Sequence, residues 1–438
     1  MTSNKAPLKV NVVDSVMGSG KTTWVIGRIN QEDSPKFIYV TPTLTEVERI
    51  KTSCPNANFK EPESKEHGSK YFNFKKLVCA GENIATTHSL FRFLTKEILG
   101  ELTSQQYTLI IDEALDCVEI YTDITKSDLT ILLEDGLINV ELSSYRLRWN
   151  DKEHNSYKGK FDRIRTLCNN GNLVYYKQKT MLWEFPVEFL RVFKDIHVLT
   201  YLFQGSAMAN YLRADEANIV MHTLQGKASK DTVPTLVPYS QLNELEIKEL
   251  IRPLITIYEG SSNKIGDKTG RENPLSSSWY KRATAEKLKA LKNGLNNFFN
   301  GKLKSKSQDN AWTTFKTYKS KLSGKGYAKC FLSNNLRATN EHIEKKAAAY
   351  TCNVFYHPVI RNYFNERGVT VYEDIYALSE MVQFLWRFQI RRYDPINLYI
   401  PSERMRTLLK VWLAANSADD LFNGLGYDLP QENSYGNH

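Results

Sequence analysis

Short apolar runs recur along the chain at residues 8–14, 37–41, 84–87, 109–112, 196–202, 219–224, 254–258, 329–333 and 396–400, with helical stretches between them. Most are continuously apolar and do not alternate, as expected of strands buried on both faces of a parallel sheet. Strands alternating with helices predict an α/β fold. No internal repeat with a fixed period is present. Two stretches break the alternation. Residues 121–192 are long, mixed and polar, and residues 260–325 are rich in Ser, Asn, Gly and Lys. Both read as insertions into α/β domains. The tail, 416–438, is polar and is expected to fray.

A length of 438 residues predicts two or three domains, and a hydrophobic fraction of 41% is enough to build their cores. The apolar runs fall short of the roughly 18 residues of a membrane span. The first residues carry no apolar h-region, so no secretory signal is expected. The six cysteines (Cys54, Cys79, Cys117, Cys168, Cys330, Cys352) are scattered, with no CxxC pair. That spacing predicts reduced thiols in a cytoplasmic setting and no structural zinc.

Charge changes the picture locally. Lys+Arg number 58 against 49 Asp+Glu, a net of +9. Between Lys264 and Lys325 there are fifteen Lys/Arg and four Asp/Glu, so this segment holds the whole excess. Trp279, Tyr280, Phe298, Phe299, Trp312, Phe315 and Tyr318 are interleaved with the lysines. Lysines for phosphates and rings for stacking suit a nucleic-acid strand. The alternative is a solvated segment whose rings pack a small subdomain.

Candidate chemistry begins where the first run ends. Residues 10–13 lead into Ser15, Val16, Met17, Gly18, Ser19, Gly20, Lys21, Thr22 and Thr23, and a helical stretch follows. Glycines here let backbone N–H groups converge on phosphate oxygens, and the helix N-terminus adds its dipole. Lys21 can reach the β- and γ-phosphates, and the Thr22 hydroxyl can ligate Mg²⁺. The usual pattern is GxxxxGK(S/T); Ser15 stands in place of its first glycine, where a small residue still fits. Residues 108–112 form a second apolar run that ends in Asp112 and Glu113. Consecutive residues at a strand end point to opposite sides. Asp112 is thus the candidate Mg²⁺ partner and Glu113 the candidate base for an attacking water.

With these two motifs in place, the chain resembles the superfamily 2 helicases and translocases. Further stretches are similar to that family in order. Residues 39–44, with Thr41, Pro42 and Thr43, resemble motif Ia. Residues 84–90, with Thr86 and Thr87, resemble the threonine-rich strand-end motif, and His88 falls inside it. Leu199, Thr200 and Tyr201, with Gly205 and Ser206 after them, stand where the coupling motif belongs. Residues 337–340, with Thr339 and Asn340, stand where motif V belongs. Residues 383–391 resemble motif VI, in a helix expected over 377–392 that carries Gln383, Arg387 and Arg391 on one face. The family's pattern there is QxxGRxxR. Trp386 replaces its glycine, and the second arginine comes one residue late, leaving Arg391 and Arg392 as alternatives. Only fourteen residues precede the loop, which leaves little room for the adenine-reading motif of DEAD-box RNA helicases.

The resemblance implies two RecA-like P-loop NTPase lobes with parallel sheets: lobe one over 1–215 with an insertion at 121–192, and lobe two over 216–438 with a basic insertion at 260–325. ATP with Mg²⁺ would bind between them. Gly18, Ser19, Gly20, Lys21, Thr22 and Thr23 would hold the phosphates, while Gln383, Arg387 and Arg391 would complete catalysis from lobe two. The threonines at 41, 43, 86, 87 and 339, with Pro42 and Asn340, would touch a nucleic-acid backbone. The implied activity is an ATP-dependent DNA helicase or translocase acting on a single strand or fork. It would work in replication beside other replication proteins, in the host cytoplasm for a phage-encoded chain. The nearest likeness is to phage- or plasmid-type replication helicases, with a fainter one to herpesvirus-type origin-binding helicases. An RNA helicase, or an ATP-switched clamp without processive unwinding, is the alternative. A packaging motor with a nuclease domain lacks the acidic cluster it would need.

Overall fold

Eight of the nine apolar runs are strands in the computed structural model, which describes residues 8–33, 36–64, 68–226, 232–334 and 341–430. The chain opens with β1 (Lys9–Asp14), β2 (Phe37–Thr41), β3 (Ile84–Thr87) and β4 (Thr108–Asp112). It then leaves for a separate antiparallel sheet made of β5 (Val118–Ile120), β6 (Ile138–Glu141), β7 (Arg146–Trp149), β8 (Leu173–Tyr176) and β9 (Thr180–Glu184). It returns as β10 (Asp195–Thr200), β11 (Asn218–Gln225) and β12 (Thr235–Pro238). Across the first sheet the order is β12-β11-β1-β10-β4-β2-β3, and only β12 runs antiparallel. The expected boundary at 215/216 thus falls too early, because β11 and β12 complete the first sheet.

A second, fully parallel sheet has the order β13-β16-β15-β14, from β13 (Ile255–Ile257), β14 (Asn310–Thr313), β15 (Ala347–Tyr350) and β16 (Ile396–Tyr399). This corrects the reading of 260–325 as an insertion. The segment is the helical crossover from β13 to β14 and includes β14 itself. Its rings do not face solvent. Trp279, Tyr280, Phe298, Phe299 and Trp312 are buried together, with Phe315 and Tyr318 packed against them. The lysines stand outside that core. The run 329–333 is no strand either: only Phe331 bridges Trp312, against the outer edge of β14. The tail is more ordered than its polarity suggests. Residues 418–424 form a helix with a Ser417/Asp420 capping box, and Leu421 and Phe422 are buried. Residues 431–438 lie outside the described residues.

The two sheets are not stacked as independent bodies. After β15 the chain crosses to the first domain, where Tyr356, Ile360, Tyr363, Phe364 and Val369 join the core shared by the first sheet and the antiparallel sheet, and helix Pro358–Glu366 packs against β5. Only then does it return as helix Glu373–Leu385 to the core of the second sheet. Glu184, at the end of β9, fixes the crossing segment. Its carboxylate is 1% exposed, accepts from Tyr363 Oη at 2.6 Å, and pairs with Arg367 at 3.0 Å and with Arg146. Removing this charge leaves two arginines facing a buried site, though both keep some solvent. Glu184→Gln is expected to lower the unfolding free energy by about 2 kcal/mol, read from the urea midpoint at unchanged slope. An unchanged midpoint would show that the cluster contributes nothing net.

Candidate nucleotide site

The parallel register sets the site. Asp14 at the end of β1 lies beside Thr200 at the end of β10, and Leu199 lies beside Asp112 at the end of β4. Three carboxyl-terminal strand ends therefore meet at one edge, where open α/β sheets bind ligands. One strand, β10, separates the strand carrying the glycine loop from the strand carrying the acidic pair.

The loop itself is tightly fixed. Gly18 (φ 84°) and Gly20 (φ 94°) take left-handed backbone angles, and Gly20 caps helix Lys21–Gln31. Ser15 N–H donates to Thr200 O at 3.1 Å, and Ser19 N–H closes the turn onto Val16 O at 3.2 Å. The serine standing in for the first glycine is used: its hydroxyl bonds Thr223 Oγ1 at 2.8 Å and accepts from Leu224 N–H at 2.9 Å. Lys21 Nζ donates to Ser15 O at 2.5 Å and Val16 O at 3.1 Å, so the ammonium lies within the loop. Burial lowers its pKa, against the pull of Glu113, Asp112 and Asp14. Thr22 and Thr23 are half-buried in the first helical turn.

The acidic pair differs from expectation in one respect. Glu113 sits at φ 65°, a rare angle for a non-glycine residue, with its N–H on Leu199 O at 2.8 Å. The strand alternation therefore stops at Asp112, and both carboxylates act on Lys21. Burial, and then Glu113, push Asp112 up to about 7, while Tyr39 Oη donates to it at 3.0 Å. His88 donates from Nε2 to the Asp112 carbonyl at 2.8 Å, which ties the 84–90 stretch to the carboxylate strand.

The motif VI expectation needs correction. Helix Glu373–Leu385 ends before Arg387, and a short turn, Gln389–Arg392, carries the later arginines. Gln383, Arg387 and Arg391 therefore do not line one helical face. Gln383 donates to Ser379 Oγ at 3.3 Å, and Ser379 in turn to Tyr201 O at 3.4 Å, next to the loop after β10. Arg387 is 6% exposed, and its charge is felt by His342 and Tyr350. Arg391 has its pKa lowered by burial and lies near Glu46 and Arg49 of helix Leu44–Ser53. Arg392 turns outward to Glu344 at 3.0 Å.

The threonines expected on a nucleic-acid backbone lie at strand ends and helix starts. Thr41 and Thr86 are buried at strand ends. Thr43 and Thr87 cap the helices that follow, accepting from Glu46 N–H at 3.4 Å and Leu90 N–H at 3.5 Å. Pro42 is half-buried between them. Thr339 and Asn340 lie outside the described residues.

Asp14, Glu244, Lys248 and Trp412 escaped the sequence reading. Asp14 is 1% exposed, accepts from Leu202 N–H and Phe203 N–H at 2.9 Å each, and is pushed up to about 7 by burial. A charge at the end of an otherwise apolar strand was the available signal. Tyr201 donates to Glu244 at 3.0 Å and accepts from Trp412 Nε1 at 2.8 Å. Lys248, pushed down to about 8 by burial, lies 3.3 Å from Glu244 and 3.5 Å above the Trp412 ring. Nothing local in the sequence joins residues this far apart.

The chain is 38% identical over 416 residues to the SPbeta prophage-derived protein YonV of Bacillus subtilis (strain 168), covering 92% of this chain and 98% of that protein. The chain belongs to the YonV family. The YonV middle domain matches residues 118–183, the span of the antiparallel sheet, and the YonV C-terminal Rossmann-like domain matches 249–413, the span of the second parallel sheet. Among solved structures, the DUF1998 helicase MrfA bound to DNA and AMPPNP is similar at a TM-score of 0.32 and 10% identity, over 95% of this chain and 51% of that one. T4 UvsW is similar at 0.23 and 9%, over 90% and 64%. Likenesses at these scores carry no weight beside the YonV match. Among the described residues, no helix is long and apolar enough to cross a membrane.

Proposed function

We propose that this YonV-family chain is an ATP hydrolase of the helicase or translocase type, acting on DNA. The observation that carries the reading is the convergence of the glycine loop, Lys21, Asp112 and Glu113 at the ends of β1 and β4, with β10 between. Two left-handed glycines give the loop the backbone form that lets amides converge on an anion, and Ser19 Oγ is a buried hydroxyl without a partner among the described residues. Lys21 is placed to compensate phosphate charge. Glu113 is placed to accept the proton of an attacking water. The Thr22 hydroxyl and Asp112 carboxylate are hard oxygen donors that fit Mg²⁺ and would hold it. When bound, Mg²⁺ neutralises charge on the phosphates. The proposed architecture is two RecA-like units, with the nucleotide beside the second unit's Trp386 and Gln383.

The nucleic-acid surface we assign is the outer face of the β13–β14 crossover, where Lys302, Lys304, Lys306, Lys316 and Lys321 are exposed over the buried rings. With those rings inside the core, contact there is electrostatic and sequence-independent. The triple change Lys302→Gln, Lys304→Gln, Lys306→Gln is expected to reduce the salt dependence of single-strand DNA binding by roughly two to three units of slope. It should leave ATP turnover without DNA intact. An unchanged slope would remove this surface from the reading. ATP turnover measured with and without single-stranded DNA or RNA, beside displacement of a forked duplex, tests the function. Stimulation by RNA alone would favour an RNA enzyme. Turnover without displacement would favour an ATP-switched clamp, for which the neutral body and basic face are equally suited.

A further inference from the structure

The family resemblance directs attention to arginines, yet the second domain meets the glycine loop through an indole. Trp386 follows helix Glu373–Leu385, with its N–H on Val382 O at 2.9 Å, and is 5% exposed. Its ring meets Trp412 edge-on at 6.0 Å between centroids. Trp412 is held by Tyr201 and by the Lys248 ammonium over its face. Val16 and Met17 of the loop pack into the same cluster. On the loop side, a Cβ added to Gly18 would stand 3.8 Å from Trp386 Nε1. Among the described residues the indole N–H donates to no protein group. Indole nitrogen is a donor only, and an anion is the partner it suits. Gly18 is exposed, so the loop beside this N–H is open to a ligand.

We propose that Trp386 donates its indole hydrogen to a phosphate oxygen of the bound nucleotide, making it the second domain's direct contact with the substrate. This rests on the nucleotide reading above and deepens it. A glycine at 386 could not make this contact. The contact also gives the second domain a way to register the nucleotide, because Trp386 is wedged between Gly18 and Trp412.

Trp386→Phe keeps an aromatic ring beside Trp412 and removes the indole donor together with some buried ring volume. Its affinity for a fluorescent ATP analogue with Mg²⁺ is expected to fall about tenfold or more, as for a lost hydrogen bond to a charged acceptor. In wild-type chain labelled with ¹⁵N at its seven tryptophans, the indole N–H signal in contact with Gly18 should move downfield on adding the analogue. That spectrum decides the matter even if the Phe variant does not fold. A stationary signal, or unchanged affinity in a folded Phe variant, overturns the inference while nucleotide binding by wild type, lost in Lys21→Ala, leaves the hydrolase reading standing. A wild-type chain that binds no nucleotide overturns both.

Discussion

Lys21→Ala is expected to abolish ATP turnover, with a loss of about a hundredfold or more in kcat, because one ammonium compensates charge developing on the phosphates. The measurement is phosphate release with saturating Mg²⁺ and ATP, beside a thermal melt. The fold should survive. Lys21 spends its hydrogen bonds on Ser15 O and Val16 O, both within its own loop, and burial already works against its charge. Alanine removes that burden, so stability should hold or rise slightly. Turnover that persists in a folded variant would contradict the site assignment as a whole, since Asp112 and Glu113 have meaning here only beside Lys21.

Gly205→Ala should lower stability strongly. Gly205 lies in the turn Phe203–Gly205, whose first N–H groups are held by Asp14. A Cβ there would stand 2.4 Å from the Tyr376 backbone nitrogen and 2.7 Å from the Ile375 carbonyl carbon. Both atoms are main chain in the first turn of helix Glu373–Leu385, so no rotamer change relieves the overlap. The helix must back away from the first domain. Overpacking of this kind costs about 3 kcal/mol. The thermal midpoint should fall, and limited proteolysis should open the junction near residues 372–376. Preserved stability would mean the helix can slide, and with it Gln383 and Trp386.

Six of the seven strands of the first sheet were legible because they are written as apolar runs, most of them buried on both faces; the antiparallel edge strand β12 is only partly buried and was not. The glycine loop was legible because its chemistry is local: glycines, a lysine and a threonine in consecutive positions. The second sheet was harder. β15 reads Ala347, Ala348, Ala349, Tyr350, and alanine has little strand preference, yet all four are buried between β14 and β16. β14 was hidden in a lysine-rich context that drew attention to charge. The antiparallel sheet was lost because its strands are only three to five residues long, too short for alternation to stand out. Helix Glu373–Leu385 was expected to continue through Arg391. Leu385, Trp386 and Phe388 satisfy a helical pattern, but each is buried in tertiary packing that a turn serves equally well. The Trp386–Trp412–Tyr201 contact joins residues up to 211 positions apart, which no local pattern encodes.

The segment that carries Tyr356 to Val369 onto the first domain has a consequence for synthesis of the chain. Glu184 waits for Tyr363, 179 residues downstream, before its carboxylate gains that hydroxyl. The amino-terminal half, although it holds the glycine loop and both acidic residues, therefore emerges from the ribosome with an apolar face that only late residues cover. Closing so long a loop is slow. A fragment ending near residue 250 should express poorly and aggregate, and adding residues 354–372 as a separate peptide should rescue its solubility. In this chain the last third matures the amino-terminal half.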